Sequence, residues 1–189
     1  MTEPRPSYFP AMSLTHVRAI CRYLSVARPS SVWEWGAGGS TLYFPAFLAA
    51  LGVQCNWTSV ETSRRWADRI IATMSDVEFG SVSVEIIRLS YGLSEADDSA
   101  HRVDAVKAEL KGYEGIRGRH DLIIVDAHKR ARCIRSAAAH VLLGGAIILH
   151  DAQREQYQGA VEELVSAGWR KEVVTDEDGE LLFILRTPS

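Results

Sequence analysis

The chain has 189 residues, a length typical of one domain that buries most of its surface, and we expect a single domain over residues 1–189. Its 21 Lys and Arg residues nearly balance 24 Asp and Glu residues, for a formal net charge of −3. This balance argues against a general nucleic-acid binder, which usually carries a basic excess. No stretch approaches the ~20 apolar residues of a membrane span. Nothing resembles a signal peptide, so the cytoplasm is the expected compartment, with no membrane partner.

Three cysteines, Cys21, Cys55 and Cys133, are far apart in the sequence and form no Cys-x-x-Cys pair. This spacing argues against a disulfide framework and against a zinc site. We therefore expect free thiols in a reducing compartment.

The hydrophobic pattern predicts helices and strands in alternation after a loose N-terminal arm, residues 1–12. The first helix begins near Ser13, which could cap it, as could Thr15. The predicted helices cover residues 13–24, 41–51, 63–74, 131–142 and 157–167. The predicted strands cover residues 32–35, 56–60, 82–89, 122–125, 146–149, 169–175 and 181–186. Residues 90–118 lack a clear pattern, although their middle, residues 100–110, has helical character.

Two of these strands, residues 122–125 and 146–149, are apolar on both faces, as in a parallel sheet covered by helices. The last two strands form a hairpin that adds an antiparallel strand. The predicted fold is therefore α/β: a doubly wound, mostly parallel seven-stranded sheet with an antiparallel C-terminal strand and helices on both faces. Ligands of such sheets bind at the carboxyl ends of the strands. The polar residues there are Glu34, Glu61, Ser90, Asp126, His150 and Asp151.

A glycine-rich loop, residues 36–39, follows the first predicted strand. Its glycines let the backbone approach a ligand, and the next helix offers unpaired N–H groups. The dinucleotide pattern Gly-x-Gly-x-x-Gly is incomplete, because Thr41 stands at its last position. The loop has no Lys, which excludes a P-loop. Glu34, two residues before the first glycine, would repel a pyrophosphate and attract an ammonium group.

Glu61 ends the second predicted strand. An acid at this place can accept hydrogen bonds from both hydroxyls of an adenosyl ribose. The same acid would also serve NAD, or act only as a favourable charge at a helix N-terminus.

Four segments together resemble the class I S-adenosylmethionine-dependent methyltransferases: residues 34–41, 59–61, 120–126 and 144–151. Their order and spacing cover about residues 31–157. Residues 125–132 and 149–154 look closest to a branch of small-molecule and carbohydrate O-methyltransferases, which includes the plant glucuronoxylan methyltransferases and bacterial relatives. The resemblance implies a Rossmann-like methyltransferase fold and S-adenosylmethionine as the cofactor.

By this resemblance, the first loop would hold the methionine part of the cofactor, through Glu34, Gly36, Ala37, Gly38, Ser40 and Thr41. Glu61 would hold the ribose, and Asp126 would lie beside the cofactor. Family members often carry an acid after the third strand, near the adenine. This chain has no acid there, and Ser90 is the candidate replacement.

Methyl transfer to a hydroxyl requires alignment of the acceptor and removal of its proton. After the fourth strand the chain lacks the Asn/Asp-Pro-Pro-Tyr pattern of enzymes that methylate amines and amides, which favours a hydroxyl acceptor. His150 or His128 could be the base, since histidine titrates near neutrality. Alternatively, Asp126 and Asp151 could bind a divalent metal that lowers the pKa of the hydroxyl.

Basic residues cluster after the fourth strand, and such a cluster is commonly a solvated helix face. A functional alternative is that Arg130 or Arg154 binds an acidic small molecule, such as a uronic acid or a phosphate, with Tyr157 as a further substrate contact.

Two other functions stay open: a non-catalytic S-adenosylmethionine-binding protein and an NAD-dependent oxidoreductase. The arm and residues 90–118 could form an interface of a homo-oligomer.

Overall fold

The structure, a computed structural model, describes residues 8–89, 115–127 and 129–188. The predictions for Ser90, for His128 and for a helix at residues 100–110 lie outside these ranges. In the described part of the chain the helices are α1 Leu14–Ala27, α2 Gly39–Ala50, α3 Arg64–Met74, α4 Arg130–His140 and α5 Glu155–Ser166. The strands are β1 Ser31–Trp35, β2 Cys55–Glu61, β3 Val82–Arg88, β4 His120–Val125, β5 Val141–Leu149, β6 Arg170–Thr175 and β7 Leu181–Arg186.

The strands form one seven-stranded sheet in the order β3-β2-β1-β4-β5-β7-β6. Strands β1 to β5 pair in parallel, and β7 runs antiparallel to both β5 and β6. The predicted fold class is therefore confirmed. Chain order reverses at β1, which lies between β2 and β4, and such a switch point opens a crevice at the carboxyl ends of the strands.

Two hydrophobic cores cover the two faces of the sheet, because successive residues of a buried strand point to opposite faces. On one face, Ile124 of β4 packs in the same core as Leu24 of α1 and Phe44 of α2. On the other face, Ile123 packs in the same core as Ile134 of α4 and Val161 of α5. Among the described residues, no helix has both the length and the apolar composition needed to cross a membrane.

Helix α1 begins as predicted, because the Ser13 hydroxyl accepts the N–H of His16 and caps the helix. Helix α4 is shorter than predicted: it ends at His140, and Val141 already pairs with His120 of β4. Pairing with β4 therefore overrides the local pattern that continued the helix to residue 142.

The prediction of a loose N-terminal arm over residues 1–12 falls partly outside the described residues, and residues 8–12, which are described, contact the domain. Pro10 is buried, and the ring of Phe9 lies 5.3 Å from that of Tyr43 in an edge-on contact. This packing brings Ala11 and Met12 to the crevice described next.

Candidate functional site

A cleft of about 340 Å³ lies at the carboxyl ends of β1, β2 and β4, where the switch point predicts a ligand site. Its floor is the glycine loop, and its sides come from the residues that follow β2 and β4 and from the N-terminal segment. It is lined by Ala11, Met12, Gly36, Ala37, Gly38, Gly39, Ser40, Val60, Glu61, Thr62, Ser63, Trp66, Asp126, Ala127 and Arg130.

Two glycines of the loop have different constraints. Gly36 has a φ of 98°, and a Cβ at this position would lie 2.6 Å from the backbone oxygen of Asp126, so the fold itself requires glycine. Gly38 has an extended backbone, and a Cβ there would meet nothing closer than the Ser40 hydroxyl at 4.0 Å. The protein leaves the space above Gly38 open, which is what close approach of a ligand requires.

Glu34 is fully buried beneath this loop and does not line the cleft. Its carboxylate accepts hydrogen bonds from Thr41 Oγ1 at 2.7 Å and Trp57 Nε1 at 3.0 Å, and also from the hydroxyls of Ser40 and Ser59. Burial raises the pKa of Glu34, while these hydrogen bonds oppose the rise. In the structure, Glu34 anchors the start of α2 through Ser40 and Thr41. Its contact with the methionine part of the cofactor stays a prediction.

The predicted loop residues divide into two groups. Ala37 and Ser40 line the cleft, whereas Thr41 is fully buried. Thr41 Oγ1 accepts the N–H of Gly38 at 3.0 Å and donates to Glu34. Thr41 therefore acts on a ligand only through the shape of the loop.

Glu61 and Trp66 form the side of the cleft next to β2. Glu61 Oε1 accepts the N–H of Ser63 at 2.7 Å, so this acid also favours the start of α3. Trp66 donates from Nε1 to the carbonyl oxygen of Ala37 at 2.7 Å and so ties α3 to the glycine loop. The sequence reasoning gave Trp66 no function. The signal that could have indicated a function for Trp66 is its place in the first turn of the helix that follows Glu61, the predicted ribose contact.

Asp126 lines the opposite side of the cleft and is held by two partners. Its Oδ1 accepts a hydrogen bond from Arg130 at 2.8 Å and lies 3.1 Å from Nδ1 of His150. His150 is 6% exposed and does not line the cleft. The candidate base His150 therefore contacts Asp126, which lies between it and the cleft.

Arg130 lies between the two carboxylates that could have bound a metal. Its guanidinium nitrogens lie 2.8 Å from Asp126 Oδ1 and 2.8 Å from Asp151 Oδ2. The guanidinium therefore provides the cation between them, and the structure does not support a divalent ion there. His150, Asp151 and Glu180 also come within 4.8 Å of one another, but Arg154 occupies Asp151 Oδ2 as well.

The charges around His150 have opposite effects on its protonation. Burial lowers the pKa of His150, but the hydrogen bond and charge of Asp126 and the charge of Asp151 outweigh burial, and the net pKa is raised. Burial favours the neutral form of Asp151, but Arg130, His150 and Arg154 hold its pKa below the ordinary value. Asp151 has a left-handed backbone, with φ of 52°, which a short polar side chain tolerates.

The three predicted substrate contacts take different positions relative to the cleft. Arg130 lines the cleft, but its nitrogens are also bonded to the carbonyl oxygens of Ala127 and His150, so few donors remain for an acid. Tyr157 is buried beneath Arg130, with its ring 5.7 Å from the guanidinium carbon, and does not line the cleft. Arg154 is about half exposed and bonds Asp151 outside the cleft.

The comparisons with known proteins show the fold. No protein-family model and no curated protein matches the sequence. A methyltransferase-like protein from Silicibacter pomeroyi superposes with a TM-score of 0.62 at 22% identity, over 98% of this chain and 90% of that one. An O-methyltransferase from Bacillus cereus in complex with SAH (S-adenosylhomocysteine) gives 0.63 at 18%, over 94% and 83%. The O-methyltransferase TomG from Streptomyces achromogenes, in complex with SAM (S-adenosylmethionine), gives 0.61 at 15%, over 95% and 82%. The chain thus has the fold of these methyltransferases.

Proposed function

We propose that the chain is an S-adenosylmethionine-dependent methyltransferase that acts on a hydroxyl of a small acceptor. One observation carries the proposal. The cleft over the glycine loop has Glu61, an acid placed to bind an adenosyl ribose, on one side, and Asp126, whose carboxylate is held by Arg130, on the other. Two of the solved structures that share the fold are O-methyltransferases in complex with SAH or SAM, which supports the same activity here.

The residues of the cleft fit this cofactor. Gly38 and Ser40 would hold its methionine part, because the backbone there is open and begins a helix, and Glu61 would hold its ribose. When bound, S-adenosylmethionine supplies an activated methyl group, and methylation of a hydroxyl releases S-adenosylhomocysteine and a proton. No metal is part of the proposal, because Arg130 already neutralises the carboxylates at the carboxyl ends of β4 and β5.

Asp126 is the group placed to handle the acceptor proton. It lines the cleft, and its Oδ1 faces the imidazole Nδ1 of His150. A hydroxyl proton accepted by Asp126 passes to His150, whose raised pKa favours the imidazolium form. Arg130 holds the carboxylate in place.

An acidic acceptor, such as a sugar acid, is favoured by one further feature. Arg154 is the exposed cation of the chain Arg154–Asp151–Arg130, which leads into the cleft. The Arg154 side chain is 54% exposed, so a carboxylate of the acceptor could bind its guanidinium beside Asp151. For the compartment, we propose the cytoplasm, supported by three cysteines that form no disulfide.

Calorimetric titration of the protein with S-adenosylmethionine, S-adenosylhomocysteine and NAD tests the cofactor. We expect the first two to bind and NAD not to bind. Gly38→Ala should weaken binding by about tenfold or more, because its methyl group would fill the open space above the loop. The matched control is Gly159→Ala in α5, where a Cβ also meets nothing within 4 Å but no cleft is present. Tight NAD binding with no response to the other two would reject the proposal.

Transfer of a labelled methyl group to a panel of catechols, phenols, sugars and uronic acids tests the acceptor class. Asp126→Asn should abolish turnover while changing cofactor affinity little, because it keeps the shape of the side chain but removes its basicity. Full cofactor binding without transfer to any hydroxyl of the panel would instead favour a non-catalytic S-adenosylmethionine-binding protein.

A further inference from the structure

A second polar cluster lies behind His150, away from the cleft. It consists of His16 on α1, His150 after β5 and Asp176 in the turn between β6 and β7. Six buried side-chain nitrogen and oxygen atoms of the described residues have no hydrogen-bond partner, and four of them belong to these residues. They are both ring nitrogens of His16, Nε2 of His150 and Oδ2 of Asp176. Such atoms are rare in folded proteins and require an explanation.

The three residues form a series that continues from Asp126. The rings of His150 and His16 are edge-to-face, with centroids 5.6 Å apart. His16 Nδ1 lies 3.9 Å from Asp176 Oδ2. Asp176 is itself buried, and its Oδ1 accepts the N–H groups of two exposed turn residues, Asp178 and Glu180, so the series ends just beneath the protein surface.

Packing alone does not account for His16. It is fully buried on the face of α1 that carries Val17, Ile20 and Leu24 into the core. A buried polar ring without hydrogen-bond partners destabilises a fold relative to one that is hydrogen-bonded. An apolar side chain would fit the pattern of the helix better, so a histidine at this position calls for a chemical role.

We infer that His16 and Asp176 extend the Asp126–His150 pair into a proton relay from the cleft to the surface. The inference rests on the proposed function, since it assigns a destination to the proton that the acceptor releases. With S-adenosylmethionine bound, the methyl–sulfur bond would break with its electron pair going to sulfur, and the acceptor oxygen would bond to the methyl carbon through the electron pair of its former O–H bond. The proton released passes through Asp126 to His150. His150 then returns to its neutral form by giving the proton to His16, which passes it to Asp176 at the base of the exposed β6–β7 turn.

The charged groups around the relay set its direction. His150 is faced by Asp126 after β4, by Arg130 from α4, by Asp151 from its own loop and by Glu180 from the β6–β7 turn. His16 is faced by His150 and, from the β6–β7 turn, by Asp176. Burial favours the neutral form of Asp176, but Ser13, the N–H groups of the turn and His16 together hold the pKa of Asp176 below its ordinary value. An ionised Asp176 attracts a proton to His16 from the cleft side.

The test is nuclear magnetic resonance of the imidazole groups in the full chain with S-adenosylhomocysteine bound, which needs no acceptor. In the wild type, the Nε2 proton of His150 should exchange readily with water despite the burial of the ring. In His16→Phe, the titration midpoint of His150 should shift by about one unit, and exchange of its Nε2 proton with water should slow by about a hundredfold. A merely structural His16 predicts the opposite sign, because a loosened core exposes His150 and speeds exchange.

Two further variants keep the test decisive. Asp176→Asn retains the oxygen that accepts the turn N–H groups but removes the charge, and it should also slow exchange at His150. Ile20→Val, on the same face of α1, removes a buried methylene and so lowers stability without changing any residue of the relay, and it should not slow exchange. If His150 titrates and exchanges identically in wild type, His16→Phe and Asp176→Asn, the relay is wrong. Cofactor binding, measured separately, still decides the proposed function.

Discussion

Glu34 allows a sharp distinction between an anchor of the glycine loop and a ligand contact. Replacing it with Ala removes the acceptor of four buried donors, those of Ser40, Thr41, Trp57 and Ser59. Two of these find substitutes, because Trp57 Nε1 also lies 3.0 Å from Ser59 Oγ, and Ser59 Oγ lies 3.3 Å from Thr41 Oγ1. About two donors are left without partners, at about 1–3 kcal/mol each.

Removal of the buried charge offsets part of this cost, since burial already raises the pKa of Glu34. We therefore expect a net loss of about 3 kcal/mol, or a Tm lowered by about 6–12 °C for a chain of this size. Glu34→Gln keeps the volume and one acceptor oxygen and should cost less, about 1–2 kcal/mol. Glu162→Ala, at an exposed position of α5, is the matched control and should stay within about 0.5 kcal/mol.

The assay is thermal unfolding without ligand, combined with titration by S-adenosylhomocysteine. An anchor lowers the Tm of the ligand-free protein and weakens binding as a consequence. A residue that only contacts the ligand weakens binding and leaves the Tm of the ligand-free protein within about 2 °C of wild type. That second result would refute the anchoring argument.

Three further predictions follow from the cleft. Trp66→Phe should keep helix α3 but lose the hydrogen bond to the carbonyl oxygen of Ala37, and calorimetric titration should show cofactor affinity lowered by about fivefold. Unchanged affinity would show that this hydrogen bond does not hold the glycine loop in its binding conformation. Arg130→Met should destabilise the protein by about 3–5 kcal/mol in urea unfolding, because it leaves the carboxylates of Asp126 and Asp151 without a cation between them. A variant as stable as wild type would show that these two ion pairs are not needed for the fold. The free energy of unfolding should fall as pH rises from about 6 to 8, because the raised pKa of His150 stabilises the fold only while it is protonated. His150→Gln should remove this slope, and a slope that persists would assign it to another group.

Low pH should weaken the ion pair between Arg130 and Asp151. The pKa of Asp151 is lowered in the folded state, so its stabilising effect is present above the ordinary carboxyl pKa and is lost as pH falls through the folded value. Asp151→Asn should therefore flatten the stability profile below about pH 4, measured by urea unfolding. A profile identical to that of wild type would contradict the ion pairs with Arg130 and Arg154.

The fold was predictable because its signals are local. Apolar residues repeat along β4 and β5, a serine caps α1, and glycines interrupt the chain where β1 ends. Each of these features reports how a short stretch of backbone is buried or turned, which a single sequence records directly. The approximate positions of the described helices and strands, and the strand ends that carry Glu61 and Asp126, followed from them.

The partners of the polar side chains depended on tertiary structure. The pattern placed Asp126 and Asp151 at neighbouring strand ends, but only packing of α4 put the Arg130 guanidinium between them. The same packing buried Tyr157. His16 is 134 positions from His150, which is why no spacing along the chain indicates their contact. By itself, the sequence determined which residues reach the cleft end of the sheet; the register and packing of distant elements decided which charges meet there, because a side chain's partner is set by three-dimensional proximity rather than by separation along the chain.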